Sequence, residues 1–334
     1  LVTDPDDDTR VYLYNSGTAG VRAASELAGC DGGPATNPAP SRWLVEVIEV
    51  PLADPASAGT PWRRYLQMIA HLSDVFDGRF DAAEQLCDEA IAAGDDFHAT
   101  RFAGTIGAFA TYTGQLETAH RYLPVVTEVL ERHGLPWNPV TAGLGHSGAV
   151  YLAWLEGRLD DARDLSTTDA NPSEYAFIAL PITVLVGLTA GDDALWRAAA
   201  RSVERYDPPD TVRPNVSFAR LLASFPSGDA STIGPLATAA WSDFERSNQH
   251  SMGGLLDAMV IGLIGAGRAH EATAAIERWT ARLGPEVTAK PINSVLLHKA
   301  AALLARDQGR GADAAEAVHR QLRHAHEAGL VLHT

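Results

Sequence analysis

One six-residue phrase recurs along this chain, and its spacing limits the fold more than any other feature. It stands as Gly78-Arg79-Phe80-Asp81-Ala82-Ala83, Gly114-Gln115-Leu116-Glu117-Thr118-Ala119, Gly157-Arg158-Leu159-Asp160-Asp161-Ala162 and Gly267-Arg268-Ala269-His270-Glu271-Ala272. Looser copies begin at Gly191, Gly228 and Gly309, so seven glycines recur at intervals of 34 to 43 residues. An apolar stretch precedes each glycine and an amphipathic one follows it. Behind Gly78 the apolar residues are Phe80, Ala83, Leu86, Cys87, Ala90 and Ile91, the spacing of one helical face. This is the layout of an antiparallel helix hairpin with glycine as the left-handed cap of its first helix. Asp81, Glu117 and Asp160 fall in the first turn of each second helix, where a carboxylate meets the positive end of the helix dipole. No segment alternates with period two, so the expected class is all-α.

The four full phrases resemble the turn of the tetratricopeptide repeat, with its glycine, its apolar residue two positions on and its small alanine five positions on; Ala90 matches the second small position. The chain departs from that pattern in lacking the aromatic near the start of the first helix, in seldom closing a unit with proline and in its longer spacings. It is similar to the helical sensor regions of large bacterial regulators of the maltose-regulator, LuxR and cyclase-linked types. Over Pro61 to the end, the resemblance implies a right-handed superhelical array of about seven to eight hairpins whose first helices line a concave face. Residues 1–60 read as an N-terminal helical lead or cap, with loops at 34–40 and 51–61, and residues 61–334 as the repeat domain.

Composition narrows the function. With 42 acidic against 26 basic side chains the net charge is −16, which opposes nucleic-acid backbones and anionic membranes. Only two cations are lysines, Lys290 and Lys299. Two cysteines, Cys30 and Cys87, make no disulfide framework and fit a reducing, cytoplasmic setting. No apolar run of membrane-spanning length occurs, and the first residues are acidic (Asp4, Asp6, Asp7, Asp8) rather than a basic and then apolar leader. The start at Leu1 suggests a piece of a longer protein, whose other domains would be natural partners.

No motif names a reaction. Gly143-Leu144-Gly145-His146-Ser147-Gly148 fits G-x-G-x-x-G, but no strand leads into it and no acidic residue follows at dinucleotide spacing; packing between helices explains its glycines better. The same segment has Ala149 where a nucleophile elbow needs glycine. His319, His324 and His326 lie near one another without metal-ligand spacing, and there is no phosphate-binding loop, so neither metal nor cofactor is expected.

Counting back from the turn glycines in the tetratricopeptide register, the inward positions of three first helices are Tyr65, Met68, Leu72, Val75 and Phe76; Arg101, Gly104, Ala108, Thr111 and Tyr112; and Leu144, Ser147, Tyr151, Trp154 and Leu155. Near Gly267 they include Asp257 and Ile261. Such a set, aromatic and apolar with isolated polar groups, suits a small-molecule pocket better than a peptide-binding groove, although an aromatic stripe at helical spacing is also how a core is built. Gly104 and Gly107 inside one helix call for a close helix approach or for room beside the backbone. The candidate ligand-binding residues are Arg101, Tyr112, His146, Ser147, Tyr151 and Trp154, with Arg101 as partner for an anionic group. The leading expectation is a non-catalytic domain binding a small effector or a partner segment; the alternatives are a structural scaffold and an enzyme using His146, Glu174 or Asp257 in the concavity. Purified protein should bind neither duplex DNA nor ATP, and a salt-sensitive, submicromolar DNA complex in fluorescence anisotropy would contradict the reading.

Overall fold

All seven marker glycines adopt the left-handed backbone, with φ between +62° and +79°. At six of them the next residue closes the turn by donating its N–H to the carbonyl five residues earlier: Arg79 to Asp74, Gln115 to Ala110, Arg158 to Ala153, Asp192 to Gly187, Arg268 to Leu263 and Arg310 to Ala305, each at 2.8 or 2.9 Å. That bond satisfies a carbonyl the ending helix leaves open, and it requires the positive φ that glycine adopts without steric cost. The fifth-position alanines Ala83, Ala119, Ala162 and Ala272 are all buried, as a close antiparallel crossing demands.

The structure is a computed structural model that describes residues 61–166, 174–204, 213–246 and 253–333. Among these residues there is no strand, and the class is all-α. The N-terminal lead expected over residues 1–60 lies outside the described residues. The chain divides into two compact units, 1–73 and 74–334. In the first, the described part is α1 (Pro61–Ala70) and the opening residues of α2 (Leu72–Phe76).

In the second unit, α3 (Asp81–Ala92) packs on α4 (Asp96–Thr113), which pairs with α5 (Leu116–Arg132). A short α6 (Pro139–Ala142) leads into α7 (Leu144–Leu155), paired with α8 (Leu159–Leu165). The pairs α9 (Glu174–Ala190) with α10 (Asp193–Glu204), α11 (Arg213–Ser224) with α12 (Ala230–Arg246), α13 (Gly253–Gly265) with α14 (Ala269–Thr288) and α15 (Pro291–Asp307) with α16 (Gly311–Glu327) follow. The first helices also pack on one another in order, α4 on α7, α7 on α9, α9 on α11, α11 on α13 and α13 on α15. Burial on several sides explains why α7, α9 and α13 are apolar nearly all round while α5, α10 and α16 are amphipathic.

Glycine sets the closest of these contacts. A Cβ on Gly148 would lie 2.7 Å from Ala108 Cα, one on Gly145 3.2 Å from Gly104 Cα, and one on Gly107 2.7 Å from Leu123. Thus Gly104, Gly107, Gly145 and Gly148 serve helix packing, while Gly143 takes a positive φ of 57° just before α7. Pro124 and Pro181 sit in the interiors of α5 and α9. The clear break is instead at Gly284, where φ 74° and ψ 175° interrupt α14 just before Pro285.

The last hairpin returns to the turns of the first ones. The Lys290 ammonium donates to the Gly78 carbonyl at 3.0 Å, and the Gln115 amide donates to the same oxygen at 2.9 Å. A Cβ on Gly114 would meet the Ile292 nitrogen at 2.9 Å, one on Gly157 would touch Val331 at 3.1 Å, and α15 packs on α4. The α4–α7 crossing gives a direct test. Gly148→Ala should lower unfolding free energy by about 1–3 kcal/mol in chemical denaturation, as overpacking against backbone does. Gly311→Ala, with open space around it, should leave stability unchanged or slightly higher.

Candidate functional site

Four of the first helices carry a partly accessible strip. On α4 it is Arg101, Thr105, Phe109 and Tyr112; on α9, Leu185, Leu188 and Thr189; on α13, Asp257, Ile261 and Ile264; on α15, Lys299, Leu303 and Arg306. The spacings of three and four residues place each set on one face. Flanking positions such as Phe102, Ile106, Val186, Met259 and Leu296 are buried.

Ring contacts link these strips. Phe109 and Tyr112 meet edge to face at 5.6 Å, Tyr112 and Tyr151 are 5.8 Å apart, and Tyr151 stacks on Trp154 at 5.5 Å with only 15° between the planes. Ser147 Oγ donates to the Leu144 carbonyl at 2.9 Å, so the Tyr112 hydroxyl donates to Ser147 at 2.7 Å. The Trp154 indole N–H donates to Thr189 Oγ1 at 3.0 Å, carrying the run from α7 to α9. Burial pushes the Tyr112 and Tyr151 hydroxyls above the usual phenol range, opposed at Tyr112 by the bond to Ser147 and reinforced at Tyr151 by the Asp257 carboxylate and by Tyr112.

Asp257 lies on α13. Its Oδ2 accepts from the Lys299 ammonium of α15. Its Oδ1 is buried and has no hydrogen-bond partner among the described residues. Burial raises the Asp257 carboxyl and the Lys299 charge pulls it back. The Asp257 side chain is 14% exposed and that of Lys299 33%. One turn along α13, Ile261 remains 43% exposed, so this face of the helix is open.

The structure thus brings Tyr112, Ser147, Tyr151 and Trp154 together and adds Thr189, Asp257 and Lys299. Ser147, Tyr151 and Trp154 are buried and Tyr112 is half-buried, so the run is reached at its edge and not as an open groove wall. It does not bring in Arg101, which is about 16 Å from Tyr112 along α4 and holds its guanidinium over the Phe97 ring at 5.6 Å. His146 also points elsewhere: its ring is 6.2 Å from Trp137, and both its Nδ1 and the Trp137 Nε1 are buried without partners among the described residues. The enzyme alternative accordingly finds His146 turned from Asp257, and the Glu174 side chain lies outside what is described. Among the described residues no three His, Cys, Asp or Glu side chains stand where they could hold a metal ion, and no helix is long and apolar enough to cross a membrane. Register counting missed Lys299. The signal was a lone lysine in the apolar run Leu296-Leu297-His298-Lys299-Ala300.

No family model matches the chain, and no curated protein matches it to a significant degree.

Burial of His146 has a measurable consequence. It lowers the imidazole from 6.5 to about 4, against a smaller opposing pull from the Leu165 carbonyl. Above pH 6.5 both folded and unfolded chains hold it neutral, and its full contribution is present. As pH falls from 6.5 to 4 the unfolded chain takes up a proton that the folded chain refuses. Stability should drop by about 3 kcal/mol from this residue, with a further loss of the same sign from His298, which burial and His324 also lower. Denaturant titrations across that range should show a shallower decline in His146→Gln, which has no group that titrates there.

Proposed function

We propose that this chain is a non-catalytic ligand-binding domain of a bacterial regulatory protein, a degenerate tetratricopeptide-like array acting in the cytoplasm. A small effector would sit against the aromatic run Tyr112, Tyr151 and Trp154, where the accessible strips of the first helices meet. Partner domains would receive the signal.

One observation carries this reading. The first helices carry stacked aromatic faces at Tyr151 and Trp154, and on another of them a buried carboxylate oxygen of Asp257 lacks a donor among the described residues. Apolar side chains of similar volume usually stabilise a fold at least as well as a buried ion pair does, so Asp257 and Lys299 are poorly explained by stability alone. Aromatic faces also give contact area with few torsions to freeze on binding. The neighbouring helix crossings supply a mechanism for transmission, because a ligand bridging α7 and α13 would bias how the middle and last hairpins pack.

A melting-temperature screen against a metabolite library tests the reading, since a ligand bound only to the folded chain must stabilise it. At least one chemical class should raise the midpoint in a dose-dependent way. Tyr151→Phe should leave the unliganded midpoint within a few degrees, because no hydrogen bond to that hydroxyl is found among the described residues, and should reduce the ligand-induced shift. A library without a single stabilising compound would favour the scaffold alternative.

A further inference from the structure

A cavity lies apart from the aromatic run. Where α11 packs on both α10 and α12 there is a space of about 260 Å³, open to solvent, whose lining includes Val203 and Glu204 of α10, Arg220, Ala223 and Ser224 of α11 and Leu236 of α12. Val203 is buried, Ala223, Ser224 and Leu236 are half-buried, and Glu204 and Arg220 are exposed, so the apolar lining lies deeper than the two charges. Those charges are opposite and border one space, yet neither has a hydrogen-bond or ion-pair partner among the described residues, each other included. Two arginines on the flanking helices behave otherwise: Arg197 of α10 holds Asp193, and Arg246 of α12 holds Asp243. Ser224 Oγ donates to the Leu221 carbonyl at 2.6 Å, which leaves its own lone pairs able to accept.

We infer that this cavity is a second binding site and takes a small zwitterion, an α-amino acid with an aliphatic side chain: Arg220 receives the carboxylate, Glu204 the ammonium, and the Val203, Ala223 and Leu236 surface the side chain. A guanidinium fork matches a carboxylate with two parallel hydrogen bonds. The opposite charge, brought by a different helix, meets the ammonium one carbon away, and Ser224 Oγ offers that ammonium a second acceptor. A ligand with only one of the two charges leaves the other side chain unmet, so the site selects for both ends together. The volume agrees, since about 260 Å³ is at the small end of ligand cavities, which run from roughly 300 to 1,000 Å³. One amino acid fits and a longer peptide does not. None of these residues belongs to the aromatic run, so this site goes beyond the effector reading and stands or falls apart from it.

The full chain is titrated by calorimetry and ligand-observed NMR with three probes that share one side chain: L-leucine, isopentylamine, which lacks the carboxylate, and 4-methylpentanoate, which lacks the ammonium. Leucine should bind, and each single-ended probe at least tenfold more weakly. Arg220→Gln should weaken leucine and 4-methylpentanoate at least tenfold and leave isopentylamine unchanged. Glu204→Gln should do the reverse, weakening leucine and isopentylamine alone. Both side chains are exposed, so the unliganded melting temperatures of the two variants should stay within a few degrees of the parent. Tyr151→Phe should leave leucine affinity unchanged. Single-ended probes that bind as tightly as leucine, a leucine affinity that either glutamine variant leaves intact, or no leucine binding at millimolar concentration overturns the assignment. Leucine binding that depends on Tyr151 rather than on Arg220 and Glu204 overturns it too and leaves the effector reading standing, whereas the crossed pattern of the two variants upholds it even if the metabolite screen finds nothing at the aromatic run.

Discussion

The Gly78 carbonyl accepts hydrogen bonds from two side chains, Gln115 and Lys290, that lie 37 and 212 residues away. The position of the last hairpin relative to the first turns depends on this joint and on the contact of Gly114 with Ile292 beside it. Each hairpin could form with its neighbour alone, because the left-handed turns and alanine crossings are local. The return cannot. It brings the start of α15 against the end of α4, and it thereby fixes where Lys299 stands relative to the helices that carry the aromatic run. Both lysines of the chain serve this last hairpin: Lys290 holds the joint and Lys299 pairs with Asp257. A thin, single-point donor suits a lone carbonyl or one carboxylate oxygen better than the broad fork of arginine does.

The exposed charges do a different and smaller task. The arginine that follows the turn glycine reaches the first-turn carboxylate of the next helix, Arg158 to Asp161, Arg268 to Glu271 and Arg310 to Asp313. These pairs are substantially solvated, and ion pairs of that kind add little to stability. They brace corners that the glycine turn has already made. The interior pair is the opposite case. Asp257 and Lys299 sit among apolar helices, where desolvation is costly unless every lone pair is met, and one oxygen of Asp257 is not met. The surface charge thus serves regularity, while the Asp257–Lys299 pair stays incompletely satisfied among the described residues.

Much of the local architecture was legible. The phrase beginning at Gly157 announced a turn, a buried Ala162 and an amphipathic α8, and each is there for reasons that act within a few residues. Tyr112, Ser147, Tyr151 and Trp154 were found by counting back from those turns, since helical register carries a face faithfully over three turns. Counting failed for Arg101 because sharing a face is not the same as sharing a place: eleven residues of helix separate it from Tyr112. It failed for His146 because a position next to the inward Ser147 points some 100° around the helix, toward α8 and Trp137.

The sequence by itself determined the helices, their turns and which face of each would be apolar, because backbone dihedrals, capping and burial periodicity are settled by near neighbours. Only the tertiary structure decided that Asp257 meets Lys299, 42 residues on. It also decided that the groove candidates would be packed at their faces and reached at an edge. Those outcomes depend on the summed small rotations between successive hairpins and on the return of α15 to Gly78. No local pattern encodes such sums, since a few degrees at each crossing move the last helix by more than the width of a side chain.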